Sequence, residues 1–596
     1  LRNHFGATLA VAPVHAMPDV GLYDVAANRT VTSYEQYLQG YAHYKTGAPW
    51  IAVPFYRASL VAGQTLPLAA IVARLEASGY NVLPVFGYPY DVPLRFLLDE
   101  NGKSRVDLIV ALGMKVGGTA STGALLDKIG VPAINAITLS QHTLAQWRAS
   151  KIGLDIIERT WQLAGAEMAG LIQPTVVASR ERISDAQTGL AYVEETPIPE
   201  RIERLNERVT AWLALRQKAN GDKRVAMIYF NYPHGSETIG AAYLNVLPES
   251  LWQIVQRLKR DGYHTGDALP AGEAELQGEI QQWGNYPGKS KGDYMTGLKH
   301  LAESGQALLV PLADYQAWFA GLPMPLRASI LASWGKPEDA PVLWRDAKGE
   351  PFFVYPARRF GNVLMAPQPG RAWEQNLEKL HNEVSMPPSH EYIAFYLWLQ
   401  KGFQANAVMH VGTHGTQEWL TGKEAGLSED DPTEALIGAM PNIYPYVMDD
   451  VGEGIQAKRR GMATIIDHMT PPFDIAGLNP DLRELGALLN DYRVAEQKSP
   501  LLARSHLVAL NRVAARSGVL KDMKKVELKT EADMEALEEY LDDTGNKLTP
   551  FGLHTFGVAP TAERRNATAR AVVSLDSAAS AEQKGRRVAQ LEDDIE

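Results

Sequence analysis

A chain of 596 residues is too long for one ordinary hydrophobic core, and its 45% hydrophobic and 21% charged residues suit a soluble globular protein with several packing units. A formal charge of -11 and a pI near 5.8 exclude a broad nucleic-acid-binding face, which needs clustered Lys and Arg to release counterions. The absence of cysteine excludes disulfides, thiolate zinc sites, iron–sulfur clusters and a Cys nucleophile, so metal chemistry within the chain falls to His, Asp, Glu or backbone.

The opening "LRNHFGATLA" carries neither an initiator Met nor a signal pattern, and the closing "RRVAQLEDDIE" stops inside a helical pattern, so a fragment of a longer protein is expected. The most apolar pieces, such as "VDLIVALG", have strand length rather than bilayer length, and a cytoplasmic location is expected. Next come an apolar run at Ile51 to Phe55, a loop with Gly63, a helical pattern through Leu75, then Gly79 and a second run at Val82 to Phe86. The runs at 106–113 and 131–137, separated by the helix-like "TGALLDKIG", continue the alternation and predict a parallel sheet covered by helices.

The segment Lys223 to Gly266 repeats the arrangement of strand, Gly-bearing loop and helix, and its Gly262-Tyr263 echoes Gly79-Tyr80; any two βαβ units look alike at this level. The Gly-, Pro- and Gln-rich stretch 265–294 reads as a linker, and the charged stretch 521–547 as a solvated helix. The expected architecture is α/β and multidomain, with several Rossmann-like parallel-sheet units carrying helices on both faces. The expected parts are a first α/β domain over 1–200, a second over 201–300, a central α/β domain over 301–480 and a mainly helical region over 481–596.

Some motifs carry no assignment. "GNYPGKS" at 284–290 has three residues between its glycines where a phosphate-binding loop needs four. "ALGMKVGGTASTG" lacks dinucleotide spacing and reads as a plain strand-to-helix turn. His234 and His390 are lone histidines, and Ser389 caps the helix that begins at His390.

The stretch "AVMHVGTHGTQEWLTGKEAGLS", 407–428, differs from these. "NAVMHV" is a short strand, Gly412 and Gly415 break it, and "TQEWL" can start a helix. That places His410 near a strand's carboxyl end, His414 in the loop and Glu418 in a first helical turn, where open α/β sheets bind ligands. Two imidazoles and a carboxylate suit a divalent metal or proton removal; a satisfied strand His, a turn His and a Glu favoured by a helix dipole explain them equally well.

"HVGTHGTQEWLTGKEAGLS" closely resembles the signature of the large subunits of cobaltochelatase and magnesium chelatase. "FYRASLVAGQT" (55–65), "RRFGNVLMAPQPGR" (358–371), "PPSHEYIAFYLWLQKGFQANAVMH" (387–410), "PNIYPYVMDDVGEGIQAKRRG" (441–461) and "PFGLHTFG" (550–557) also look like family segments. Gln417 and Thr421 depart from the pattern, standing where members commonly have Leu and Pro, and "LAGAEMAGLIQP" (163–174) lacks the usual acidic-Gly pair. Trp419 and the "PPSHEYIAFYLWL" helix look more like the cobalt branch.

The resemblance implies ATP-dependent insertion of a divalent metal, Co²⁺ or alternatively Mg²⁺, into a tetrapyrrole such as a corrinoid precursor. ATP would be hydrolysed by partners, an AAA+ ATPase subunit and a second smaller subunit, and not bound by this chain. His410, His414 and Glu418 are the expected metal ligands and catalytic groups. Cations for the ring's peripheral carboxylates or amides are expected from Arg371, Lys423, Lys458, Arg459 and Arg460, with His554 a further candidate. Trp419, Tyr444 and Tyr446 are available as aromatic walls, although core packing explains them as easily. Metal removal, a tetrapyrrole carrier without chemistry and a metal-dependent hydrolase are the competing readings.

Overall fold

A computed structural model describes residues 6, 17–114, 118–231, 247–286, 291–371, 386–412, 415–448, 450–469, 473–475, 480–545, 548–550, 555–574 and 580–595. The chain divides into two compact units, Leu1–His468 and Met469–Glu596.

The first unit opens with an eight-stranded sheet. Its strands are β1 (Gly21–Asp24), β2 (Arg29–Val31), β3 (Trp50–Phe55), β4 (Asn81–Phe86), β5 (Leu108–Leu112), β6 (Ala133–Thr138), β7 (Ile172–Ser184) and β8 (Ala191–Pro197), in the order β2-β1-β4-β3-β5-β6-β7-β8. Strands β4, β3, β5, β6 and β7 run parallel, and β1, β2 and β8 add antiparallel edges. The central strands are near-continuous apolar runs, as expected where helices cover both faces. Helix Leu66–Ala77 takes Pro67 in its first turn and buries Leu68, Ile71, Val72 and Leu75 along one stripe, so the expected strand, loop, helix, strand order folds with one addition, the short helix Arg57–Val61 before the loop at Gly63.

Strand β9 (Val225–Tyr229) comes from the apparent repeat, followed by the helix Leu247–Arg260. Here the echo ends: among the described residues the chain enters no strand between Tyr263 and Ala307, and β9 pairs with strands far along the chain. The stretch read as a linker contains the helix Glu273–Trp283, because Leu276 and Ile280, one turn apart, bury together. A small antiparallel sheet follows, made of β10 (Ala307–Pro311), β11 (Trp344–Arg345) and β12 (Pro351–Pro356).

Strands β13 (Arg358–Phe360), β14 (Val363–Pro367), β15 (Ala407–Val411), β16 (Asn442–Val447) and β17 (Ala463–His468) join β9 in a six-stranded sheet. Its order is β13-β14-β9-β15-β16-β17, and all but the edge strand β13 are parallel. The helix His390–Lys401 is buried on nearly every side, consistent with its run "YIAFYLWL". Ser389 caps it by accepting from the Tyr392 N–H.

The second unit is mainly helical. Helices Pro480–Lys498 and Pro500–Arg516 form a hairpin whose core includes Leu485, Leu489, Leu510 and Val513, with Met534 and Leu537 from the helix Glu531–Gly545. Strands β18 (Phe473–Ile475) and β19 (Leu548–Pro550) pair antiparallel, and helices Ala562–Ser574 and Ala581–Ile595 pack together. No helix among the described residues is long and apolar enough to cross a membrane.

Candidate active site

His410 sits one residue before the carboxyl end of β15, buried between the helix His390–Lys401 and β16. Both its ring nitrogens are engaged. The Asn442 amide donates to Gly461 O at 2.8 Å, which turns Asn442 Oδ1 toward the imidazole, 2.8 Å from His410 Nδ1. Nδ1 therefore carries the proton and donates, and Nε2 accepts from the Tyr396 hydroxyl at 3.0 Å. Burial pushes the His410 pKa down to about 4 against the Asn442 bond, so the ring is neutral.

The bonding extends outward from Tyr396. Gln368 Nε2 donates to the Tyr396 hydroxyl at 2.7 Å, and Gln368 Oε1 accepts from the Thr416 N–H at 2.8 Å. The Thr416 and Tyr392 hydroxyls meet at 2.9 Å. This network ties the first residues after the glycine-bearing loop to the strand that holds His410.

Glu418 lies in a single 3₁₀ turn, Gln417–Trp419, and not at the start of a longer helix; Leu420 is extended and Gly422 has a positive φ of +118. A Cβ on Gly422 would collide with the Asp431 carboxylate, so the turn closes only with glycine there. The Glu418 side chain is fully buried. Burial raises its pKa to about 7 and the Glu453 charge adds to this, against its own backbone N–H, the Tyr444 hydroxyl and Arg460. Tyr444 donates to Glu418 Oε1 at 3.4 Å, while Oε2 has no hydrogen-bond partner among the described residues. A Cβ on Gly415 would fall 2.6 Å from the Tyr444 hydroxyl and 3.1 Å from both Glu418 carboxyl oxygens, so the loop backbone presses directly on that pair.

Tyr444 links the two candidates, since its ring centroid is 5.5 Å from that of His410. His410 and Glu418 thus flank one buried tyrosine. On the outer side of the turn, Arg371 donates to Trp419 O at 2.7 Å, and the Trp419 side chain is 36% exposed. Tyr446 is core, packed edge-on against Tyr444. His414 and His554 lie outside the described residues, as does His234. His390 is buried, bonded to the Tyr315 hydroxyl and Gly335 O.

The remaining cations shape the backbone around the turn. Arg460 is buried and donates to the carbonyls of Glu418, Leu420, Thr421 and Lys423. Lys423 is buried over the Trp147 ring and donates to Ser428 Oγ and Arg148 O, with Asp431 3.7 Å away. Trp147 Nε1 donates to Gly426 O, so the loop 420–431 is held against the first sheet's helices. Arg459 forms a forked pair with Glu167, and Lys458 is half-buried.

Sequence reasoning passed over Tyr392, Tyr396, Gln368, Thr416 and Asn442. The four-residue spacing of Tyr392 and Tyr396 places both on one helix face and was the available signal; Asn442 and Gln368 meet His410 and Tyr396 only through sheet order. Among the described residues, a His–Asp–Glu group with ligand atoms within 4.8 Å occurs at His142, Asp155 and Glu158. Its carboxylates already form a capping box at the helix start Ile156.

Comparison with known proteins decides the family. The family described as CobN/Magnesium Chelatase matches residues 1–595. The chain belongs to this family. It is 31% identical over 553 residues to the aerobic cobaltochelatase subunit CobN of Pseudomonas aeruginosa, covering 90% of this chain and 42% of that protein. It is 32% identical over 573 residues to a magnesium-chelatase subunit of Rhodobacter capsulatus, covering 93% of this chain and 45% of that protein. The solved catalytic subunit of cobaltochelatase from Mycobacterium tuberculosis superposes with a TM-score of 0.68 at 26% identity, covering 99% of this chain and 50% of that one. The α/β architecture expected from the sequence is therefore the family's own, and this chain spans about half or less of the length of these relatives.

Proposed function

We propose that this chain forms the tetrapyrrole-binding part of a metal-chelatase large subunit and hosts the insertion of a divalent metal, Co²⁺ before Mg²⁺. ATP is hydrolysed by an AAA+ ATPase subunit acting with a second smaller subunit. The observation that carries the reading is Glu418, a fully buried carboxyl with its pKa pushed up to about 7 and one oxygen unpartnered among the described residues, inside the family's signature stretch.

Insertion releases two ring N–H protons for each metal ion that enters. A carboxyl titrating near neutrality is matched to accepting one of them, because it is ionised for part of the time yet holds the proton once taken. The neutral His410 fixes Tyr396 and, through Gln368, the backbone at Thr416, which keeps the turn bearing Glu418 in place. His414, next to Gly415, is the ligand we assign to the incoming metal, with Glu418 as its carboxylate partner. Trp419 offers an exposed aromatic face to the ring, and Arg371 beside it and Lys458 are assigned to its peripheral acid or amide groups. Arg459, Arg460 and Lys423 serve by holding the turn.

A cobalt and a magnesium relative match at similar identity, 31% and 32%, and the preference for Co²⁺ rests on Trp419 and the helix from His390, which look more like the cobalt branch. Titrating the chain with a cobyrinic-type ring and with protoporphyrin, each with Co²⁺ or Mg²⁺ and the partner subunits present, tests the proposal. Saturable ring binding with metal insertion is expected. Ring binding without insertion in any combination favours a carrier, and metal-dependent hydrolysis without a ring favours a hydrolase.

A further inference from the structure

Away from that turn, the first sheet has a binding geometry of its own. The chain runs from β3 to β4 on one side of β3 and then returns to place β5 on the other side, all parallel. In an open α/β sheet such a reversal leaves a crevice beyond the carboxyl ends of the two diverging strands, and ligands bind there. A cavity of about 300 Å³ occupies that position. Phe55 and Leu112, the last residues of β3 and β5, line it together with Leu68 and Thr138.

The walls are fixed before any ligand arrives. Gln162 clamps both backbone groups of Thr138, accepting from its N–H at 3.0 Å and donating to its carbonyl at 2.7 Å. Gln64 likewise accepts from the Glu195 N–H and donates to Val193 O, tying β8 to the loop after β3. Gly113 stands at φ +62 where a Cβ would fall 3.2 Å from Thr138 Oγ1, which keeps the crevice clear of a side chain. Arg180, an exposed residue at the cavity wall, donates from Nη1 to Ser140 O at 3.0 Å, and its Nε and Nη2 donors have no bond among the described residues. Glu195 is the cross-strand partner of Arg180 and lines the same cavity.

We infer that this crevice binds a small organic carboxylate with an apolar body. The carboxylate meets the open fork of Arg180, and the body lies against Phe55, Leu68 and Leu112. The inference stands whether or not the chelatase reading holds. A plain carboxylate and an α-amino acid share this chemistry.

The test uses hexanoate, norleucine and hexanamide, titrated into the whole chain by calorimetry or ligand-observed NMR. Hexanoate or norleucine should bind saturably, and hexanamide at least about tenfold more weakly, because a neutral amide forfeits the charge-assisted fork. Arg180→Gln should erase that discrimination, and Ala62→Trp, at the cavity wall, should abolish binding while circular dichroism and the unfolding midpoint stay near wild type. Tighter binding of norleucine than of hexanoate would identify the amino acid as the ligand class, and the reverse preference the plain carboxylate. Equal binding of hexanamide, retention of the preference in Arg180→Gln, or no saturable binding of either acid overturns the inference.

Discussion

Glu418 and Gln417 stand side by side in the interior with opposite fortunes. Gln417 is fully buried, and neither of its amide atoms has a hydrogen-bond partner among the described residues. A buried, unpaired amide costs about 1–3 kcal/mol, so Gln417→Leu should stabilise the chain by that order in urea unfolding. A loss of stability would show that the amide has a partner after all. For Glu418 the sign follows from its raised pKa: the folded state keeps a proton that the unfolded state loses above pH 4.5, so stability falls as pH rises from 4.5 to about 7. The displacement corresponds to about 3 kcal/mol, and Glu418→Gln should therefore flatten the pH profile and exceed wild-type stability at pH 8. A profile for Glu418→Gln parallel to wild type between pH 5 and 8 would contradict the raised pKa. His410 was legible as a strand-end residue, but its two partners were not, because sheet order and not sequence distance brings Asn442 and Tyr396 to it.

At the scale of elements, the parallel strands and their helices were readable because apolar runs bounded by glycine leave few alternatives, as at β3, β4 and the helix between them. The turn at Gln417–Trp419 was not, since "TQEWL" reads as the start of a longer helix, whereas Leu420 is extended and Gly422 takes a positive φ, which end it after one 3₁₀ turn. Nor was the joint between the helices Pro199–Gln217 and Pro432–Ile437, which no periodicity announces. There Glu434, fully buried, pairs with Arg201 and Arg208, with Arg204 at 3.3 Å. Burial pushes the Glu434 pKa up, but the three guanidinium groups outweigh it and hold it down to about 2. Removing one member strands the other charges, so Glu434→Ala should cost about 3–5 kcal/mol in chemical denaturation. A cost below about 1 kcal/mol would mean that water or a neighbouring group takes over the guanidinium groups.

For the whole molecule, the two units have separate cores, one built around two large sheets and the other around helices. Separate cores unfold separately when neither depends on the other, so calorimetry should resolve more than one transition, with Glu434→Ala lowering only the one that belongs to residues 1–468. A single transition shifted as a whole would show that the units fold as one. The family stretch from 358 to 461 lies wholly in the first unit, and its cations prove to be internal ties as much as surface charge. Only burial and bonding distinguish those two uses of Arg and Lys, and a linear sequence carries neither.

In the proposed insertion step, Glu418 takes a proton from the ring as metal enters. Its most direct test is to measure, with partner subunits present at about pH 7.5, both ring binding and metal insertion for wild type and Glu418→Gln. Ring affinity within about threefold of wild type is expected, with insertion slowed by about a hundredfold or more, the usual scale for losing a general base. Insertion at the wild-type rate in Glu418→Gln would contradict it.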